Sequence, residues 1–260
     1  MNPPAGCVYL VPNTLDFGVD SATPQDLREV LPESVIRTAA RLTHWVAEDA
    51  KSTRAFLKRV ELITPLALPL QALSILELPR PQKGGPAGQA RAGAQDLGAL
   101  LAPAIQGHDV GLISEAGLPA VADPGAGLVQ AAHAANVRVV ALSGPSSLVL
   151  ALAASGLHGQ SFAFVGYLPV QPGDRGTRIR ELEQWSRRMH QTQLLIETPY
   201  RNEALLDALL AHLQPATRLS VSSGLTLPDA RTRTDTVQGW RNRPSPLSGK
   251  VPAVFCLLAS

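Results

Sequence analysis

At 260 residues the chain is long enough to bury a full hydrophobic core, as one large domain or two small ones. Its composition, 45% hydrophobic and 17% charged, sits near the globular average and excludes intrinsic disorder. A formal net charge of +2 excludes a bulk electrostatic pull toward a polyanion, so any nucleic-acid surface has to be a local patch. Cys7 and Cys256 lie in apolar runs at opposite ends of the chain and are expected to be thiols of a reducing compartment, not a disulfide framework. The six histidines are scattered, with no cysteine or carboxylate at ligand spacing, and no metal is expected. No basic segment leads into an apolar run with a cleavage site, and no apolar stretch approaches the ~20 residues of a membrane span. The expected location is cytoplasmic, with no membrane partner.

In chain order, Val8–Val11 is the first short aliphatic run and predicts a buried strand. Ser52–Val60 carries apolar residues at helical spacing. Pro79–Gly93 is rich in Pro, Gly and Ala without periodicity and predicts an exposed loop, a solvated insertion rather than a lid. Val110–Ser114 and Val137–Ser143 predict two further strands, each followed by a helix, Leu128–Ala135 and Ser147–Ala154. Phe162–Val165 is a strand that runs into Tyr167-Leu168-Pro169 and on to Gly173-Asp174, a Pro- and Gly-containing linker before the charged helix Thr177–Met189. Leu194–Glu197, Leu219–Ser222 and Val251–Leu258 complete the strands, and Glu203–Leu213 is a helix between the first two of them. Strand and helix alternate, which predicts an α/β fold with parallel or mixed sheets flanked by helices. The linker places a domain boundary between residues 1–166 and 167–260.

Ser114 to Gly125, SEAGLPAVADPG, is the most informative segment. It puts two glycines and two prolines at the carboxyl end of a strand, the edge where open α/β sheets bind ligands. Asp123 as an N-cap with Pro124 at the first helical position accounts for its second half, but capping does not explain Ser114-Glu115-Ala116-Gly117. Ser143-Gly144-Pro145-Ser146-Ser147 repeats the pattern after the next strand, with Ser146 as the helix cap or its free amides as an anion site. Two such turns point to a shared pocket. Neither matches a dinucleotide fingerprint or a phosphate loop.

These segments resemble the ribosomal small-subunit methyltransferase I family of the tetrapyrrole methylase superfamily, which methylates a cytidine ribose 2′-hydroxyl in small-subunit ribosomal RNA. The resemblance rests on Tyr9-Leu10-Val11-Pro12, Ala47-Glu48-Asp49-Ala50-Lys51, Ser114 to Pro119 with Asp123-Pro124-Gly125, Ser143-Gly144-Pro145-Ser146, Gly166-Tyr167-Leu168-Pro169 and Ile196-Glu197-Thr198-Pro199-Tyr200-Arg201, in family order. It implies two α/β domains, the first carrying the acceptor side, with S-adenosylmethionine in the cleft between them. Carried over by position, the cofactor would touch Pro12, Ser114, Glu115, Gly117, Leu118, Pro119, Gly144, Pro145, Ser146 and Ser147, with Pro252 and Ala253 from the C-terminal strand. A homodimer is implied as well.

Four departures fall where the family meets its acceptor. Thr14-Leu15-Asp16 replaces Ile-Gly-Asn, the His-Asn-Glu motif is absent, Gly224-Leu225-Thr226-Leu227 lacks the charged members of Arg-Glu-Leu-Thr-Lys, and Glu115 and Leu118 stand for Asp and Thr. The lost basic residues remove part of the expected phosphate footprint, for which Arg231, Arg233, Arg241 and Arg243 offer either a replacement patch or an ordinary solvated face. Methyl transfer from a sulfonium needs alignment and a dry site more than a protein nucleophile. A hydroxyl acceptor needs a group to take its proton, and Glu197 or Glu48 is in position for it. Glu48 and Asp49 equally suit compensation of the following helix N-terminus, and Arg201 is placed to pair with Glu197. The functional readings are therefore a ribosomal RNA methyltransferase, a methyltransferase of a tetrapyrrole-like or other small molecule, and a non-catalytic cofactor-binding protein.

Overall fold

The computed structural model describes residues 5–16, 25–79, 94–244, 247 and 251–260, with the side chains of 94–96 excepted. The loop expected over Pro79–Gly93 lies, apart from Pro79, outside the described residues. The chain forms two compact units, one holding the N-terminal strand and Gln25–Pro145, the other Ser146–Ser260.

The first unit contains β1 (Cys7–Leu10), α1 (Glu33–Arg41), β2 (His44–Ala47), α2 (Ala50–Glu61), β3 (Ser74–Glu77), α3 (Ala94–Ile105), β4 (Val110–Ile113), α4 (Ala126–Ala134) and β5 (Arg138–Ala141). Its strands form one parallel sheet in the order β3-β2-β4-β1-β5. The continuous apolar runs of β1 and β4 fit this geometry, because the inner strands of a parallel sheet are covered on both faces. One face packs Ile36, Phe56, Leu57 and Trp45 from the α1 and α2 side. The other packs Val8, Leu112, Leu101 and Leu128 from the α3 and α4 side. Gly111 admits the Trp45 ring, since a Cβ there would stand 2.7 Å from two of its carbons.

The connection from β1 leads across β4 to β2, while the connection from β4 leads across β1 to β5. Right-handed crossovers in opposite directions put their helices on opposite faces, and the backbone parts between β1 and β4. That is the topological switch point, where ligands of open α/β sheets bind.

The second unit comprises α5 (Ser147–Ser155), β6 (Phe162–Gly166), α6 (Pro172–Met189), β7 (Thr192–Glu197), α7 (Asn202–His212), β8 (Arg218–Ser223), β9 (Arg231–Thr236), α8 (Val237–Asn242) and β10 (Ala253–Leu258). Its sheet runs β6-β7-β10-β8-β9, parallel only between β6 and β7 and antiparallel elsewhere. On one face α5 buries Leu148, Ala151 and Leu152 against Leu194, Val254 and Cys256. On the other, Ile179, Leu182, Leu209 and Trp240 pack against Leu195, Phe255 and Leu257.

Two expectations are corrected. The change of unit falls between Pro145 and Ser146 instead of after residue 166, because α5 packs on the second sheet and β6 pairs with β7. The linker through Gly173-Asp174 is shorter than its composition suggests: Pro172 opens α6 at the first helical position, with Asp174 in the first turn. Both cysteines are free thiols, Cys7 half-buried and Cys256 buried, and burial pushes the Cys256 thiol up to about 12. Among the described residues no helix is long and apolar enough to cross a membrane, and no group of metal-ligating side chains comes together.

Candidate functional site

Because the first sheet is parallel, the segments that follow β1, β2, β4 and β5 all emerge at one edge. Three of them are stitched together there. Asn13, after β1, forms an isolated bridge with Gly117, after β4: its N–H donates to Gly117 O at 2.9 Å and its carbonyl accepts from Gly117 N at 3.2 Å. The Asn13 side-chain amide also donates to the carbonyls of Ser114 (3.2 Å) and Glu115 (3.0 Å). From β5, Pro145 brings its carbonyl to the same place, since a Cβ on Gly117 would stand 3.6 Å from it. A Cβ on Gly144 would collide with the Pro12 ring, so the β1 and β5 segments approach as closely as glycine allows. The two turns singled out in the sequence thus meet, although their strands are not neighbours: β1 lies between β4 and β5.

The segment after β1 is held from a second side. Arg59 of α2 pairs with Asp16 at 3.0 Å and donates to Thr14 Oγ1 (3.1 Å) and the Gln25 carbonyl (2.8 Å), and Thr14 Oγ1 donates to Asp16. Arg59, Thr14 and Asp16 thus form a largely enclosed polar clamp on the segment after β1.

Within this stitched edge Ser114 is 3% exposed, and its Oγ has no hydrogen-bond partner among the described residues. A buried hydroxyl left unsatisfied costs roughly 1–3 kcal/mol and persists where a ligand satisfies it. The chain that follows is strained. Gly117, Ala120, Ala122 and Gly125 all have positive φ, and the two alanines adopt it without glycine's freedom. Gly125, not Asp123, occupies the cap position of α4 and makes no side-chain cap bond. Asp123 is instead half-buried near two other carboxylates, and burial, then Glu48, then Glu115 raise it to about 7.

Residues 34–239 match the family model described as Tetrapyrrole (Corrin/Porphyrin) Methylases. The chain belongs to that family. A ribosomal RNA small subunit methyltransferase I of Mesorhizobium japonicum is 38% identical over 146 residues, covering 56% of this chain and 48% of the relative. One from Halalkalibacterium halodurans is 30% identical over 205 residues, covering 79% of this chain and 60% of the relative. The chain thus spans between about half and three-fifths of the length of these relatives. The crystal structure of the methyltransferase CobJ superposes with a TM-score of 0.52 at 16% identity, over 98% of this chain and 95% of that one, and shares the fold.

Of the positions carried over from this methylase family, Pro12, Ser114, Glu115, Gly117, Leu118, Pro119, Gly144 and Pro145 lie in the first unit, around the stitched edge. Ser146, Ser147, Pro252 and Ala253 belong to the second unit. Ser146 holds the cap position of α5 without a side-chain cap bond. Pro252 is exposed and its carbonyl accepts from Gly224 N at 3.2 Å, while Ala253 is buried in β10 between Glu197 and Ser223. The two proposed proton acceptors fall in different units. Glu48 Oε2 accepts from Glu115 N at 3.2 Å, while Glu197 is 7% exposed, pairs with Arg201 at 2.8 Å and accepts from Thr198 N at 2.8 Å. Asp49 caps α2 through Ser52 N at 2.7 Å, so helix compensation belongs to Asp49 and not to Glu48.

Of the four arginines offered as an RNA patch, Arg233 and Arg241 are engaged within the chain, while Arg243 makes a contact but stays 81% exposed. Arg233 stacks 4.0 Å over the Trp240 ring and pairs with Asp235, Arg243 pairs with Asp235 at 3.3 Å, and Arg241 donates to the Leu210 and Leu213 carbonyls. Sequence reasoning missed Asn13, Arg59 and the depth of Asp123. Of these only Asn13 carried a signal, as the one amide immediately after the Pro12 turn.

Proposed function

We propose that the chain is an S-adenosylmethionine-dependent methyltransferase acting on a ribose 2′-hydroxyl of small-subunit ribosomal RNA. One observation carries this reading: the turns around Gly117 and Pro145 meet at the switch point of a parallel sheet, and the segment entering the first of them carries the buried hydroxyl of Ser114, unpartnered among the described residues. The residues present fit the cofactor. Ser114 offers a hydroxyl that needs a partner, Gly117 and Gly144 allow close approach to main-chain groups, and nearby carboxylates favour a cationic ligand. When bound, S-adenosylmethionine supplies an electrophilic methyl group on a sulfonium. The chain's own part is to bind and orient the two reactants, keep water out and accept a proton. The names of the relatives support RNA as the acceptor. On this reading the protein works in the cytoplasm as a homodimer.

A small-molecule acceptor is the second reading, favoured because Arg233 and Arg241 spend guanidinium donors on groups within the chain and have fewer of them to offer a phosphate backbone. Purified protein given labelled S-adenosylmethionine and unmethylated small-subunit ribosomal RNA should label the RNA at ribose. Label appearing only in a pool of small tetrapyrrole-like molecules would establish the second reading. Absence of both transfer and cofactor binding would end both.

A further inference from the structure

We propose that a second copy of this chain docks on the β6 edge of the second sheet, the two β6 strands pairing antiparallel about a two-fold axis at Ala163, with Phe162 of each copy beside Phe164 of the other. The inference goes beyond the methyl-transfer reading and does not require it, and it gives the homodimer a surface and a register.

The argument begins with the two edges of that sheet, which differ in kind. β9, at one edge, reads Arg-Thr-Arg-Thr-Asp-Thr, and charged side chains along an edge oppose pairing with a further strand. β6, at the other, reads Phe-Ala-Phe-Val-Gly, with neither charge nor proline. Its free backbone groups fall at defined positions. Ser161 O accepts from Thr192 N at 3.0 Å, so Ser161 turns its polar groups toward β7, and so does Ala163, two residues on. The N–H and C=O of Phe162 and Phe164 therefore point away from the sheet, to the open side.

Apolar side chains flank this edge on both faces. On one face α5 packs against β10, β8 and β9, which leaves Phe162 and Phe164 46% and 38% exposed. On the other face α6 joins β6 to β7 and α7 joins β7 to β8, so α6 is the helix nearer the β6 edge. Its inner side meets α7, with Gly176 against the His212 ring and Arg180 bonded to that ring. Trp185 follows Gly176 by about two and a half turns, which turns it away from α7 and toward the β6 edge, and Met189 stands about one turn further on. These two are 53% and 52% exposed. The nearby charges, Arg178 paired with Glu181 and Arg188 over the Trp185 ring, lie on the helix and not on the strand.

A second copy is the occupant that this edge fits. An uncharged strand meets its own image without like-charge repulsion, and two-fold symmetry makes one surface serve both partners. Centred on Ala163, an antiparallel pair sets the outward groups of Phe162 opposite those of Phe164 and exchanges both hydrogen bonds at each such pair. Ala163 then meets its own image in the non-hydrogen-bonded position, where side chains come closest and a small one is needed. The Phe162 and Phe164 rings of the two copies fall on one face as cross-strand aromatic pairs. Together Phe162, Phe164 and Trp185 expose about 250 Å² per copy, roughly a third of the ~800 Å² that each partner gives to a standard interface, and Met189 and the strand backbone add to it.

The test is the mass of the full chain in solution, by sedimentation. The unaltered protein should be a dimer at concentrations on the order of 10 μM. Phe164→Lys should weaken the dimer about 100-fold or more, as charge does at an edge. The register is read by two double variants. Phe162→Lys with Phe164→Glu sets opposite charges face to face across the axis, so it should dimerise about tenfold or more better than Phe162→Lys with Phe164→Lys. Ala163→Cys puts two thiols on the axis, with Cα atoms about 4.5 Å apart and within disulfide reach. Under mild oxidation it should form a linked dimer far faster than the unaltered protein, whose Cys7 and Cys256 set the background. If Phe164→Lys does not fold, the Ala163→Cys cross-link decides. A monomer at these concentrations would overturn the proposal, and slow exchange of its Phe162 and Phe164 amides would show that the chain covers its own edge. A dimer that Phe164→Lys leaves intact and Ala163→Cys does not link would also overturn it, by placing the interface elsewhere. Binding of S-adenosylmethionine by the unaltered protein is scored separately: its absence ends the methyl-transfer reading and leaves the dimer surface standing.

Discussion

The two units differ in where their polar groups are engaged. In the second, several buried and half-buried charges are matched within the chain. The buried Glu183 accepts from Gln214 N at 2.8 Å and Thr217 Oγ1 at 2.5 Å, Glu197 pairs with Arg201, and Arg233 sits over Trp240 while holding Asp235, whose carboxyl it keeps below its usual range. Asn202 Oδ1 is nevertheless buried there without a hydrogen-bond partner among the described residues. In the first unit the carboxyl edge of the sheet concentrates what is left unmatched: the Ser114 hydroxyl, the proton-holding Asp123 and a turn with two alanines at positive φ. Antiparallel pairing across β7, β10, β8 and β9 builds a self-satisfied layer, whereas an all-parallel sheet sends its loops to one edge, where unsatisfied groups can be gathered for a ligand.

That contrast can be broken by substitution. The largest effect is expected in the second unit, where Trp240→Ala removes a fully buried side chain, its bond to Leu219 O and the seat of Arg233. It should cost about 3–5 kcal/mol in denaturant unfolding. Arg201→Ala, which strands the buried Glu197, should cost about 2 kcal/mol in the same assay, less than a fully buried pair because Arg201 remains partly exposed. A wild-type unfolding curve for either variant would mean that the second unit is not held by its internal pairs.

Asp123→Asn should act in the opposite direction. In the fold its carboxyl is raised to about 7, well above the usual carboxylate range, so the folded state holds the proton more tightly than the unfolded chain does. Stability is fully present below the unfolded value and is lost as pH climbs through that window toward 7. The asparagine should therefore stabilise the fold by about 1–2 kcal/mol at pH 8, after allowance for partial exposure, and by less at pH 5. Equal effects at both pH values would remove the titration from the account. The smallest effect expected is that of Asp49→Ala, a lost N-cap on α2 worth about 1 kcal/mol in thermal unfolding, with cofactor binding unchanged.

How much of this was legible from sequence depended on what each element is made of. β1, β4 and β10 are apolar and lie where the runs Val8–Val11, Val110–Ser114 and Val251–Leu258 predicted them. β9 is Arg-Thr-Arg-Thr-Asp-Thr, an edge strand with no apolar residue, and its pairing with β8 comes from the sheet alone. β3 is likewise an edge, and α3 begins beside an Ala- and Gly-rich stretch and carries Pro103 inside it, which hid its helical pattern. At the site, the Gly-Pro grammar after β4 and β5 marked the right edge of the sheet. It did not show that β1 runs between those strands, that Asn13 stitches them, or that Asp123 leaves the helix cap to Gly125. Those features depend on strand order and on positive-φ alanines, for which residue type gives no signal.

The most direct measurement is a pair of numbers on one variant, Ser114→Ala: the affinity for S-adenosylmethionine by calorimetry and the stability of the ligand-free protein by unfolding. Ser114 Oγ bonds to no other described residue, so its removal should leave ligand-free stability unchanged or slightly higher. The same removal should weaken cofactor binding about five- to tenfold, the worth of one hydrogen bond. Unchanged affinity together with reduced stability would show that the hydroxyl serves the fold, and that the edge around Gly117 and Pro145 is not where the cofactor binds.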